Sequence, residues 1–178
     1  MPRALATLID FNLRRWLWVA LLSSALMLAI AHAFETFGGL APCILCLQQR
    51  DVYWAAMGVA AVGLIVGFTP AGRRFERLFA AALGVIFLAG MGIAIRHAGA
   101  EWGWWPGPAA CAANRTGVTA ADMAALLNGA KQRMPSCEEA AWRDPVLRLS
   151  MAGWNALISL KLAFWSFVAA SGWRPRHD

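Results

Sequence analysis

Four apolar segments constrain the fold of this chain more than any other feature of its sequence. They run roughly over residues 16–34, 46–68, 78–95 and 149–173, and a helix needs roughly 20 apolar residues to cross a bilayer. Short polar segments separate the first three, whereas residues 97–147 form one long mixed segment. The sequence therefore predicts an all-α membrane protein, a single domain over residues 1–178 built as a bundle of four transmembrane helices.

The composition also favours a bilayer as the solvent. Of the 178 residues, 60% are hydrophobic and only 15% are charged, which departs from the usual balance of soluble domains. The net charge of +6 comes from arginines and lysines that mostly flank the apolar segments, so it does not form the basic face of a nucleic-acid-binding domain. We therefore expect membrane lipid among the partners and no nucleic acid.

The positive charges predict how the bundle is oriented, because short cytoplasmic segments are enriched in lysine and arginine. Arginines lie before the first span, between the second and third, and after the last: Arg3, Arg14, Arg15, Arg73, Arg74, Arg77, Arg174 and Arg176. The loop over about 35–45 has none, and the loop over 97–147 has four basic residues in a much longer segment. We expect both termini inside and both of these loops outside.

A cleavable signal peptide is an alternative reading of the first span. Arg14 and Arg15 precede an apolar run that ends in Ala-His-Ala at residues 31–33, as secretory leaders do. We favour a retained span because the run is long and because four helices bury polar positions better than three. Either reading leaves the second span's N-terminal end outside.

All four cysteines map to the outer side of the predicted bundle. Cys43 and Cys46 form a Cys-x-x-Cys at the start of the second span, whereas Cys111 and Cys137 lie in the long outer loop. An even number of cysteines on an oxidising side suggests two disulfides, and three pairings are possible. The simplest set is Cys43–Cys46 with Cys111–Cys137.

Structural cross-links and a zinc site are the alternative uses of these cysteines. Zinc sites usually bring two closely spaced pairs, whereas Cys111 and Cys137 lie 26 residues apart, so we expect no metal. A Cys-x-x-Cys ring is short and reducible, which favours thiol exchange over a structural role.

The start of the second helix indicates how its cysteines are activated. Pro42 suits the first turn of a helix, so the helix begins near Cys43 and places Cys46 where backbone N–H groups favour a thiolate. Arg50 lies one turn deeper on the same face, suited to stabilising a thiolate or a reduced carbonyl ligand. Alternatively, its side chain snorkels to the outer interface.

His97, at the outer end of the third span, is a candidate for contacting a ligand or passing a proton.

The long loop contains one amphipathic pattern. Residues 119–131, "TAADMAALLNGAK", begin with a cap-like Thr119, and Met123, Leu126 and Leu127 follow at helical spacing. This segment predicts a short amphipathic helix on the outer membrane surface, or a small core of the loop itself. It lies between Cys111 and Cys137, so its movement would affect which cysteine Cys137 reaches.

Together, these motifs resemble the DsbB family of disulfide bond formation proteins of bacterial inner membranes. The resemblance covers nearly the whole chain and rests on "PCILCLQQR", "WPGPAAC", "CEEAAW" and "MAGW". It implies a quinone-dependent protein-disulfide oxidoreductase, an electron-transport enzyme that assists folding proteins as part of the chaperone machinery. It also implies a four-helix bundle with the cysteines in the periplasm.

The resemblance further implies a path for electrons. A reduced periplasmic DsbA-like dithiol protein attacks Cys111 in an exposed, proline-rich segment, and Cys137 then passes electrons to Cys43. Cys46 contacts ubiquinone or menaquinone, with Arg50 nearby and His97 as a further candidate.

Lys161 departs from the family pattern. Lys161 lies near the middle of the last span. We interpret it as a structural adjustment that faces the bundle interior or marks a shorter or tilted helix.

Two other functions compete with the one that the resemblance implies. One is a vitamin-K-epoxide-reductase-like enzyme, but here the loop cysteines follow the Cys-x-x-Cys helix rather than precede it. The other is a haem-binding electron carrier with His32 and His97 as ligands, which leaves the cysteines unexplained.

Overall fold

The computed structural model describes residues 3–69, 72–108, 111 and 136–175. These ranges contain five α-helices, which are α1 (Arg3–Arg14), α2 (Trp16–Thr36), α3 (Ile44–Gly67), α4 (Glu76–Glu101) and α5 (Met151–Ser171). No strand occurs in the described ranges, where the sole sheet-like pairing is one bridge between Arg143 and Ser150. The all-α class is therefore confirmed. The amphipathic helix expected over residues 119–131 lies outside the described residues.

Helices α2 to α5 are long and apolar enough to span a membrane. Their lengths of 21, 24, 26 and 21 residues correspond to about 32 to 39 Å at the helical rise per residue. The hydrocarbon core of a bilayer is about 30 Å thick. The four apolar segments of the sequence thus form the expected membrane bundle.

Glycines allow the helices of the bundle to approach closely. α4 packs most extensively against α5, and α3 packs against both α2 and α4. A Cβ atom at Gly84 of α4 would lie 2.8 Å from the ring of Phe167 on α5, and one at Gly90 would lie 2.8 Å from Val52 on α3. Small residues are typical of helix contacts in membranes, where packing replaces the hydrophobic driving force.

Helix α1 was not expected from the sequence. Its large apolar side chains Leu5, Leu8 and Phe11 are exposed, whereas Ala6 and Leu13 are buried against the rest of the structure. An apolar outer face on a short helix that leads directly into a span is typical of a helix lying at the membrane interface. The sequence shows no span-length apolar run here, so this element escapes a search for transmembrane helices.

Trp16, the first residue of α2, is buried, and its Nε1 donates a hydrogen bond of 2.9 Å to Ser166 Oγ. One expectation about a single residue is wrong, because Lys161 does not face the bundle interior and its side chain is exposed on α5. Nor does α5 end early at Lys161, since the helix continues to Ser171.

Gly84→Ala should destabilise the α4–α5 contact. The added methyl group meets the Phe167 ring at under 3 Å, and such overpacking costs about 1–3 kcal/mol. The matched control is Gly92→Ala on the same helix, where a Cβ atom has nothing within 4 Å. Thermal unfolding in detergent should show a lower Tm for Gly84→Ala than for Gly92→Ala, and equal Tm values would contradict the close contact.

Candidate functional site

The N-terminal end of α3 holds the Cys-x-x-Cys pair in its reduced form. Cys43 and Cys46 are free thiols, and their Sγ atoms lie 2.8 Å apart. Cys43 is the N-cap of α3, with an extended backbone, and its Sγ accepts a hydrogen bond of 3.2 Å from the backbone N–H of Cys46. The structure therefore differs from the expected Cys43–Cys46 disulfide, although it places the two sulfur atoms side by side.

Cys43, rather than Cys46, is the better placed thiolate in this state. The pKa of Cys43 is lowered to about 4, chiefly because the Cys46 thiol donates a hydrogen bond to it. His97 and the Cys46 backbone N–H lower it further, whereas burial opposes the shift. The sequence assigned the anion to Cys46 from its place in the first turn, but the N-cap position gives Cys43 the direct contact with a backbone N–H.

A chain of buried hydrogen bonds fixes the tautomer of His97. The Tyr53 hydroxyl donates to Asn155 Oδ1, and Asn155 Nδ2 donates to Gln49 Oε1. Gln49 Nε2 then donates to His97 Nδ1 at 2.9 Å. Because Nδ1 accepts, a neutral His97 carries its proton on Nε2, which lies 3.5 Å from Cys43 Sγ. Three helices thus direct one N–H group at the Cys43 sulfur.

Glu101 lies near the same ring nitrogen of His97 that faces Cys43. Its Oε1 is 3.6 Å from His97 Nε2, and its side chain is only 4% exposed. The Ser150 hydroxyl, which caps α5, is also a hydrogen-bond partner of this carboxyl group. Glu101 therefore joins the end of α4 to the start of α5 beside the cysteines.

A cavity of about 350 Å³ opens next to Cys46 between the helices. Its walls are mostly apolar, and its polar lining consists of Cys46, Gln49, Arg50, Tyr53, His97 and Asn155. Trp142, from the segment before α5, packs on Phe34 of α2 with ring centroids 5.5 Å apart, and both rings line the cavity. An apolar cavity of this size with a few polar groups is typical of a small-molecule site.

Arg50 is held at the edge of this cavity by α2. Its Nη1 donates to Glu35 Oε2 at 2.6 Å, and its Nη2 donates to the Ala31 carbonyl at 3.1 Å. His32 Nδ1 lies 3.3 Å from the same Nη1. The Arg50 side chain is only 14% exposed, which favours a place in the cavity wall over free snorkelling into the interface.

The second cysteine pair lies against the first. Cys111 and Cys137 are joined by a disulfide with their Cα atoms 5.5 Å apart. Both are buried in one apolar cluster with Cys43 and Leu45, and Cys46 packs against that cluster. The expected exposed position of Cys111 is therefore wrong in this state, because the disulfide packs onto the start of α3. All four cysteines meet at one end of the bundle.

These contacts weaken two alternative uses of the site. A zinc site with four cysteine ligands would need four free thiolates, whereas Cys111 and Cys137 are bonded to each other. Of the two haem ligands considered, His97 already has both ring nitrogens engaged, Nδ1 by Gln49 and Nε2 by Cys43.

Several residues of the site were not assigned roles from the sequence. They are Glu35 in the last turn of α2, shortly before the Cys-x-x-Cys, and Glu101 and Asn155, which lie on α4 and α5, far from it in sequence. A polar residue within an apolar span was the available signal, since such a residue needs an internal partner. That signal does not say which partner it meets.

Comparisons with known proteins agree with the cysteine motifs. Residues 13–169 match the family described as "Disulfide bond formation protein DsbB". A disulfide bond formation protein B of Dechloromonas aromatica is 31% identical over 153 residues, which cover 82% of this chain and 84% of that protein. No solved structure matches the chain.

Two further relatives match over shorter segments. The protein of the same name from Chromohalobacter salexigens is 32% identical over 51% of each chain. The one from Stutzerimonas stutzeri is 41% identical over 44% of this chain and 47% of its own length. The chain thus spans about half the length of these two relatives.

Two substitutions at Cys46 should separate the sources of the low Cys43 pKa. Cys46→Ser keeps a hydroxyl donor next to Cys43, whereas Cys46→Ala removes the donor. We expect the pKa of Cys43 to rise above about 4 in the alanine variant and to remain lower in the serine variant. The pH dependence of Cys43 alkylation, quantified by mass spectrometry of its peptide, measures this. Identical midpoints in the two variants would contradict the role of the donor.

Proposed function

The chain belongs to the DsbB family of disulfide bond formation proteins, and we propose that it is a membrane thiol oxidoreductase of the bacterial inner membrane. It takes electrons from a reduced periplasmic DsbA-like dithiol protein and delivers them to ubiquinone or menaquinone. The observation that carries this proposal is the meeting of both cysteine pairs in one cluster beside a cavity that Cys46 lines.

The cavity suits a quinone head group. Its apolar walls match an aromatic ring with an isoprenoid tail, and its few polar groups include the guanidinium of Arg50 and the amide of Gln49. Both groups can donate hydrogen bonds, and the carbonyl oxygens of a quinone accept them. A quinone bound there supplies the two-electron oxidant, so that the partner's dithiol becomes a disulfide as the quinone becomes the quinol.

Thiol exchange begins at the loop disulfide. A thiolate of the reduced partner attacks Cys111 Sγ, the Cys111–Cys137 bond breaks, and Cys137 leaves as a thiolate. The partner's second thiol then attacks the mixed disulfide, which releases the oxidised partner and the Cys111 thiolate. Because Cys111 is buried in the described structure, this step requires the disulfide to separate from Cys43 and Leu45.

The membrane pair completes the relay. The Cys137 thiolate attacks Cys43 Sγ of an oxidised Cys43–Cys46 pair, and Cys46 leaves as a thiolate that faces the cavity. The Cys111 thiolate then displaces Cys43 and restores the loop disulfide, so two electrons rest on Cys43 and Cys46. His97 Nε2–H stabilises the Cys43 thiolate, and Arg50 is the nearby cation in the cavity.

The two ends of the bundle support the proposed orientation. The cysteine end contains the C-terminal ends of α2 and α4 and the N-terminal ends of α3 and α5. The arginines that flank the spans gather at the opposite end, where Arg14, Arg15, Arg77 and Arg174 line a second cavity. The positive-inside rule places that end in the cytoplasm and the cysteines in the periplasm.

Cys111→Ser should separate the two halves of the relay. The partner loses its point of attack, so we expect oxidation of the reduced DsbA-like protein to fall to background. Quinone reduction by a small dithiol such as dithiothreitol should continue, because Cys43 and Cys46 remain. Cys46→Ser is the control and should abolish both activities. Partner oxidation at the wild-type rate in Cys111→Ser would overturn the relay.

Arg50→Met should weaken quinone binding while preserving much of the side-chain length. A hydrogen bond from a charged donor contributes about 1.5–3 kcal/mol, so the KM for quinone should rise by about tenfold for each 1.4 kcal/mol lost.

Glu35→Gln is the matched control for Arg50→Met. It removes the ion pair of Arg50 but leaves the guanidinium in the cavity wall. If Arg50 acts on the quinone, Glu35→Gln should not raise the KM. Equal increases in both variants would show that Arg50 acts only through its ion pair with Glu35.

A further inference from the structure

A second cavity, of about 430 Å³, lies at the end of the bundle opposite the cysteines. The turn between α1 and α2, the C-terminal end of α3, the start of α4 and the segment after α5 surround it. Four arginines line it, namely Arg14, Arg15, Arg77 and Arg174, together with a single acidic residue, Glu76. This concentration of positive charge plays no part in the thiol chemistry.

Two of the four arginines lack an acidic partner among the described residues. Asp10 lies 2.7 Å from Arg14 Nε and 3.6 Å from Arg174 Nε. The guanidinium of Arg15 lies 4.8 Å from the ring centroid of Phe11. Arg77 packs beside Gly172, where an added Cβ atom would lie 2.5 Å from Nη2. Among the described residues here, the four arginines outnumber the acidic side chains Asp10 and Glu76, so the cavity retains an excess of positive charge.

The remaining walls of the cavity are apolar. Leu17, Leu64 and Phe68 line the cavity from the ends of two spanning helices. Trp18 also lines it. Phe68 and Trp18 are exposed on the outer surface of the bundle, so the apolar part of the cavity faces the region that lipid occupies. A ligand that fills this cavity must be anionic at one end and apolar at the other.

We propose that this cavity binds an anionic phospholipid. The phosphate lies against Arg15 and Arg77, and an acyl chain follows the apolar wall formed by α2 and α3. Basic pockets between transmembrane helices on the cytoplasmic side bind lipid head groups in this way. A soluble phosphate compound would satisfy the arginines but would leave the apolar wall uncovered, so the lipid is the better match.

The test uses the full chain in detergent, stripped of lipid and then given phosphatidylglycerol or phosphatidylcholine. Native mass spectrometry measures how much of each lipid stays bound. We expect selective retention of phosphatidylglycerol by the wild type. The double variant Arg15→Gln/Arg77→Gln should bind it about tenfold more weakly or worse, which corresponds to about 1.4 kcal/mol.

Arg148→Gln is the matched control, because it removes an exposed arginine at the cysteine end and should retain wild-type selectivity. Equal retention of both lipids by the wild type would overturn the proposal, as would unchanged binding in a folded double variant. Displacement of phosphatidylglycerol by millimolar inorganic phosphate would assign the cavity to a free anion instead. If the double variant fails to fold, the proposal is tested by the phosphatidylglycerol retention of the single variants Arg15→Gln and Arg77→Gln, together with the lipid selectivity of the wild type. None of these readouts depends on thiol or quinone activity.

Discussion

A bilayer offers no water to polar groups in its interior, so such groups are stabilised by protein partners. This constraint accounts for the connected chain of polar side chains near the cysteine end of the bundle. Tyr53, Asn155, Gln49 and His97 come from three helices, and each engages the next through a hydrogen bond. Because the chain ends at Cys43, the interactions that satisfy the buried polar groups also direct a proton donor at the reactive sulfur.

The same end of the bundle brings the two cysteine pairs into contact. The proposed relay by thiol exchange requires direct attack of one sulfur on another, so it needs the loop pair to reach the start of α3. In the described structure, Cys111 and Cys137 pack against Cys43 within one apolar cluster. Apolar burial therefore holds the Cys111–Cys137 disulfide close to the membrane pair, as the proposed relay requires.

Hydropathy and helix-start rules predicted much of this architecture because they depend on local sequence. The four spans follow from long apolar runs, and Pro42 correctly places the start of α3 beside Cys43. Rules of that kind did not choose Cys43 over Cys46 as the thiolate, since the pKa of Cys43 depends chiefly on a side-chain hydrogen bond from Cys46 and further on His97, which is 54 residues away in sequence. The outward orientation of Lys161 likewise depends on which face of α5 packs against α4.

The pairing of Arg50 with Glu35 resolves an electrostatic difficulty of the proposed quinone site. A buried arginine without a partner is strongly unfavourable, yet an arginine fully neutralised by a buried carboxylate would have little charge left for a ligand. Glu35 is 41% exposed, so water screens it, and the Ala31 carbonyl that also accepts from Arg50 has no net charge. The guanidinium is therefore held in place without being fully compensated. Such an arrangement tolerates an empty cavity and still stabilises negative charge that develops on a ligand beside Cys46.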